Sequence, residues 1–127
     1  IRLAECHSMY APVYMYRFEW TSFALNLSGY KSFHGLEIPF VFGNTEGKLG
    51  GLLKYIASKK LTKRLTNEMQ TAWINFARYG NPNGTGEANW KPYTAPERAT
   101  MIFEKKSHVK NDPDGLQREA WTGVVYY

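Results

Sequence analysis

The densest chemistry in this chain lies in Ser32-Phe33-His34-Gly35-Leu36-Glu37-Ile38-Pro39-Phe40-Val41-Phe42-Gly43, where a histidine precedes a carboxylate by three residues. Gly35 permits a tight backbone path beside the imidazole. The following Ile38, Phe40, Val41 and Phe42 are expected to anchor the segment in a core, leaving His34 aimed at a cleft. An imidazole held in this way suits general-base chemistry, taking a proton from an attacking nucleophile. Glu37 is expected to bind the loop backbone or to orient nearby groups. A loop histidine is more often solvated or locally hydrogen-bonded than catalytic, so the reading depends on its surroundings.

The nucleophile that such a base would serve is not found among these residues. Serines stand at 8, 22, 28, 32, 58 and 107, and none has glycines two before and two after it, as a nucleophile elbow requires. Cys6 adjoins His7, but adjacent side chains on a helix do not face each other, and a buried structural thiol is the expected state of Cys6. Histidines at 7, 34 and 108, with one cysteine and no HxxxH or CxxC spacing, make a poor ligand set, and no metal site is expected. Gly47, Gly50 and Gly51 match neither GxGxxG nor a Walker A loop, so no cofactor is expected. Asn26-Leu27-Ser28 and Asn83-Gly84-Thr85 fit the glycosylation tripeptide, a pattern common by chance.

The elements that must position His34 are legible from periodicity. Pro12-Val13-Tyr14-Met15-Tyr16-Arg17-Phe18 is dense in β-formers and is expected to be a strand buried on both faces. Glu19 to Tyr30 reads as a long connection into the histidine loop. Leu52, Leu53 and Ile56 mark a short helix after a glycine-containing bend. Leu61, Leu65, Met69, Ala72, Trp73, Phe76 and Ala77 then recur at spacings of three and four, the pattern of a core-packing helix. Arg78, Gly80 and Pro82 stop it. Trp90, Pro92 and Tyr93 are expected packing anchors, and Thr100-Met101-Ile102-Phe103 a second strand. Asp112-Pro113-Asp114-Gly115 offers N-cap chemistry to a last helix with Leu116, Ala120 and Trp121. Strand, helices, strand, helix imply an α/β architecture.

The chain has 127 residues, room for one domain and one core, and at 43% hydrophobic and 16% aromatic it is too rich in core-formers for disorder. Ile1-Arg2-Leu3-Ala4-Glu5 reads as helix already under way with no N-cap ahead of it, so the chain is expected to begin inside an element. A single cysteine excludes an internal disulfide and leaves the compartment open. No apolar run reaches membrane-span length, and no membrane partner is expected. The net charge of +5 gathers at Lys59, Lys60, Lys63 and Arg64 and again at Lys105, Lys106 and Lys110. No recognised nucleic-acid motif accompanies it, so these are expected to be solvated surface and no nucleic-acid partner is expected.

Taken together, these segments resemble the C-terminal part of a type-B carboxylesterase, the family of cholinesterases and bacterial para-nitrobenzyl esterases. The strand at 12–18 resembles the family's strand ahead of its catalytic histidine, and Ser32 to Gly43 resembles the histidine motif. Met69-Gln70-Thr71-Ala72-Trp73-Ile74-Asn75-Phe76-Ala77-Arg78-Tyr79-Gly80-Asn81-Pro82-Asn83 resembles the helix that follows and its exit. Trp90-Lys91-Pro92-Tyr93 and Met101-Ile102-Phe103 continue in family order, so the likeness covers nearly the whole chain.

The resemblance implies the C-terminal portion of an α/β-hydrolase fold, a mixed sheet with helices on both faces, spanning residues 1–127 as one segment. It implies His34 as the triad base, with Glu37 and Gly35 supporting its loop. Chain order in this fold is serine, acid, histidine, so nucleophile, acid and oxyanion hole are expected in a missing N-terminal portion that acts as this segment's partner. The chain alone is then expected to be inactive, and the complete enzyme to cleave a small carboxylic ester. Apolar faces left without neighbours favour self-association or domain swapping. The rival reading is a non-catalytic, cholinesterase-like interaction domain.

Overall fold

Tyr14, Tyr16 and Phe18 alternate along one strand and put three rings on one side, as the two-residue period of an extended chain requires. In the computed structural model, which describes residues 1–44, 51, 53, 56–83 and 90–124, those rings organise the core. Tyr14 meets Phe76 at 5.9 Å between ring centroids, Tyr16 meets Trp73 at 6.3 Å, and Phe18 meets Phe40 at 5.2 Å. The first two pairs are edge-to-face and the third is tilted, and aromatic pairs so arranged add attraction beyond the area they bury.

The strand is β1 (Met15–Phe18), shorter than the 12–18 expected. It pairs in parallel with β2 (Ala99–Phe103), Met15 opposite Thr100 and Phe18 opposite Phe103. β2 pairs antiparallel with β3 (His108–Asn111), giving a mixed sheet of order β1-β2-β3. Every residue of β2 is buried, whereas every residue of β1 is only half-buried. The doubly covered strand is therefore β2, the central one. β1 falls short of the expected double burial because it has a strand on one side only among the described residues. β3 escaped the sequence reading because His-Val-Lys-Asn offers one apolar residue and no alternation.

Helices lie against both faces. On the Tyr14–Phe18 side are α3 (Ile38–Phe42) and α4 (Lys59–Tyr79), which pack on each other. On the other side, Arg17 pairs with Glu19 and with Asp114, the N-cap residue of α5 (Gly115–Ala120). Arg98 pairs at 2.7 Å with Glu5 of α1 (Arg2–Ser8), so α1 is tied beside β2. α2 (Phe23–Leu27) lies inside the stretch expected to be one long connection, capped by Ser22, whose Oγ accepts from Leu25 N at 3.2 Å. Five residues are too few for periodicity to announce a helix.

α4 runs two residues further at its start than the apolar pattern, because Ser58 caps it, and it ends at Gly80 in the left-handed conformation. Leu65, Met69 and Ala72 are its buried stripe; Trp73 and Phe76 stay half-exposed at its outer end. Gly51, Leu53 and Ile56 are helical and Leu53 is buried, while Leu52 and the preceding bend lie outside the described residues. Trp90 and Tyr93 are buried as expected, but Pro92 between them points outward and is exposed. Leu116 and Trp121 of the last helical segment are exposed.

Candidate functional site

The turn carrying His34 is fastened at both ends. Upstream, Ser32 Oγ donates to Phe18 O at 2.9 Å, which ties the turn to the end of β1. Tyr30 and Phe33 stack edge to face at 6.3 Å, and Phe33 packs on the core. Residues 34–37 form the turn, closed by Leu36 N to Phe33 O at 3.2 Å and by Ile38 N to Gly35 O at 3.2 Å. Downstream, Leu36 and Phe40 are both 0% exposed, and Phe40 rests on Phe18 and Trp20. The result is an imidazole exposed to solvent on a backbone whose next two residues are buried.

Gly35 has φ +83°, and a Cβ built there would lie 3.5 Å from Ile38 Cδ1, an ordinary contact. The glycine is therefore needed for its left-handed backbone, not for room. The apolar run 38–42 does not anchor the loop along its whole length. It folds as α3, begun by Pro39 in the first turn, so the helical period turns Pro39 and Phe40 inward and leaves Ile38 and Phe42 exposed. All four of Ile38, Phe40, Val41 and Phe42 were expected to anchor the loop; the four-residue spacing between Ile38 and Phe42 puts those two on one outer face instead.

Glu37 occupies the N-cap position of α3, and its carbonyl, not its carboxylate, accepts from Phe40 N at 2.9 Å and Val41 N at 3.1 Å. The side chain makes no cap hydrogen bond. Its charge is felt at Tyr16: burial pushes the Tyr16 phenol above its ordinary value, the Glu37 charge pushes it further, and a hydrogen bond with Trp73 opposes both. The sequence offered a signal for each partner, Tyr16 in the alternating Tyr14, Tyr16, Phe18 series and Trp73 in the stripe of α4, and none for their meeting.

The other groups singled out by residue type stand apart from His34. Cys6 is exposed, not buried, because its position on α1 lies off the face that carries buried Ala4. His7 is exposed on the same helix, and His108 lies on β3, where Nδ1 sits 3.2 Å from Lys106 O and 3.3 Å from Glu104 Oε1. Ser32 spends its hydroxyl on Phe18 O. Asn83 is not a free glycosylation acceptor, since its amide donates to Trp90 O at 2.7 Å and accepts from Trp90 N at 2.7 Å.

A cavity of about 520 Å³ is lined by Arg2, Glu5, Arg98, Arg118 and Trp121, and it includes neither His34 nor Glu37. Its guanidinium groups are occupied: Arg98 by Glu5 at 2.7 Å, Arg118 by Asp112 at 2.8 Å, and Arg2 by the carbonyls of Trp121 and Val124 at 3.1 Å. It reads as framework. The chemistry available to these residues is that of one presented imidazole, positioned by a strand, a left-handed glycine and a short helix.

The family comparison decides which fold that arrangement belongs to. A model of the carboxylesterase family matches residues 1–121. The chain belongs to the carboxylesterase family. It is 39% identical over 122 residues to a para-nitrobenzyl esterase of Bacillus subtilis, covering 94% of this chain and 23% of that protein. It is 36% identical over 128 residues to an acylcarnitine hydrolase of Rattus norvegicus, covering 98% of this chain and 22% of that protein. Among solved structures, a carboxylesterase of Geobacillus stearothermophilus superposes with a TM-score of 0.78 at 37% identity, covering 95% of this chain and 24% of the other. A thermophilic PNB esterase superposes at 0.74 and 36% identity. The chain thus spans roughly a quarter of the length of these carboxylesterases, and its mixed sheet with helices on both faces is part of an α/β-hydrolase fold.

Proposed function

We propose that this chain is the C-terminal segment of a serine carboxylic-ester hydrolase and that His34 is its general base. The observation that carries the reading is the presentation of His34: a solvent-exposed ring on a turn locked by Ser32, Gly35, Leu36 and Phe40 in a carboxylesterase-family chain. In the reaction, His34 takes the proton of a serine hydroxyl as the serine oxygen attacks the ester carbonyl. It returns that proton to the departing alcohol oxygen, then takes one from the water that attacks the acyl-enzyme. Serine acyl transfer needs no cofactor.

The serine, the acid that orients His34 and the oxyanion donors are assigned to an N-terminal portion of the same hydrolase. None of the serines of this chain stands in an elbow, and among the described residues the His34 ring has no hydrogen-bonded acid. The β1 edge without a strand partner among the described residues, and the exposed Trp73, Ile74 and Phe76 on α4, fit a segment that packs on such a portion. The purified chain is expected to leave p-nitrophenyl esters intact. Turnover by the chain alone that disappears in His34→Ala would overturn the assignment of the nucleophile to another segment.

A further inference from the structure

Two basic clusters far apart in the sequence form one surface. Lys59, Lys60 and Lys63 are exposed on the first two turns of α4, and Lys105 and Lys106 are exposed on the turn between β2 and β3. Arg64 joins them: its Nη2 donates to Glu104 O at 3.0 Å and also to Lys105 O. Glu68 completes the clasp, accepting from Arg64 Nη1 at 2.6 Å and from Ser107 Oγ at 2.7 Å. Among the described residues near this face, Glu68 is spent on Arg64 and Ser107, while Glu104 Oε1 lies 3.3 Å from His108 Nδ1, an ion pair only when that imidazole is protonated. Among the described residues, none of the five lysine ammonium groups is in an ion pair.

The placement runs against the stability of the helix. Backbone N–H groups make the start of a helix positive, so acids favour it and lysines oppose it. α4 begins with Lys59 and Lys60 and has no acid in its first turn. Charge set where it costs stability, and left unpaired, points to a use outside the fold.

From this juxtaposition we infer that the Lys59/Lys60/Lys63–Lys105/Lys106 face docks on an anionic phospholipid surface. A group of four to eight basic side chains gathered on one face is what the surface potential of such a membrane attracts. Lysine supplies mobile point charges suited to a field of phosphates, where arginine would supply paired, directional bonds. Residues 56–68 and 104–110 contain no Phe, Tyr or Trp, and His108 is their one aromatic ring, so the row of stacking platforms typical of single-stranded nucleic-acid binding is lacking there. The expectation of no membrane partner came from apolar run length, which speaks only to spanning. Docking by charge needs neither an apolar run nor the ester chemistry of His34.

The test is co-flotation of the purified chain with phosphatidylcholine vesicles, with and without 30% phosphatidylserine (about that share is enough to give a negative surface), at low and high salt. Binding is expected only to the anionic vesicles and only at low salt. Each ammonium is worth roughly fivefold in partitioning, so Lys59→Gln/Lys63→Gln and Lys105→Gln/Lys106→Gln should each weaken it about 25-fold. Arg78→Gln/Lys91→Gln removes the same charge elsewhere and should change it little. The Lys59/Lys63 variant should also melt no lower than the parent, which shows that lost flotation is not lost folding. Equal loss with the Arg78/Lys91 pair, equal binding to neutral vesicles, or retention on duplex DNA with no flotation would each overturn the proposal.

Discussion

Gly35 is the residue on which the presentation of His34 turns, and replacing it separates two physical causes. Its φ of +83° costs an L-residue about 1–2 kcal/mol. An added methyl group also stiffens the unfolded chain, which returns about 0.4–1 kcal/mol. The Cβ itself adds no clash, being 3.5 Å from Ile38 Cδ1. Gly35→Ala should therefore destabilise by about 1 kcal/mol, which in a domain of this size lowers the midpoint of thermal unfolding by roughly 3–5 °C. Gly35→Asn should cost less than Gly35→Ala, because asparagine visits the left-handed region with a smaller penalty. Urea melts followed by circular dichroism at several protein concentrations would read both, with the slope of the transition unchanged. A neutral Gly35→Ala, or an asparagine as costly as alanine, would refute the backbone argument. Full rescue of Gly35→Ala by Ile38→Val would refute it too, by assigning the cost to crowding.

Other outcomes follow from the same structure. Phe40→Ala should cost about 3–5 kcal/mol and Phe42→Ala within about 0.5, although the two lie in one short helix, because one is enclosed and the other is 72% exposed; equal costs in denaturant melts would contradict the α3 packing. Asp112 titrates below the usual carboxylate range because Arg118 hydrogen-bonds it, so its stabilisation is present above the unfolded carboxyl value and fades as pH falls through the lower folded one. Asp112→Asn, which tolerates the φ of +42° there, should flatten the acid limb of a stability–pH profile; an unchanged limb would exclude the pair from it. The exposed Trp73, Ile74, Phe76 and Tyr79 should drive the isolated chain to self-associate at micromolar concentration, and a monodisperse monomer in sedimentation would contradict this.

What could be read from the sequence divides along physical lines. α4 was visible because twenty-one residues give the helical period many turns in which to repeat, and Gly80 closes it. β2 was visible because a strand enclosed on both faces is nearly all apolar, Thr100 being its one polar residue. β3 and α2 were not, being four and five residues long, and set by pairing and by a Ser22 cap rather than by pattern. The His34 turn was legible as a motif, but its support was not: the run 38–42 is apolar whether it is strand or helix, and only the fold turns Ile38 and Phe42 outward. Tyr16 against Trp73, and Arg64 joining two basic clusters, are contacts between distant segments that no local spacing encodes.

The role of His34 is tested most directly in a complete hydrolase. This chain would replace the matching segment of the Bacillus subtilis para-nitrobenzyl esterase, to which it is 39% identical, and the folded chimera would be assayed on a p-nitrophenyl ester. Turnover is expected in the chimera, with a fall in kcat on the order of 10³-fold or more in His34→Ala and unchanged circular dichroism. A His34→Ala chimera that keeps its kcat within about tenfold would contradict the assignment of His34 as the base.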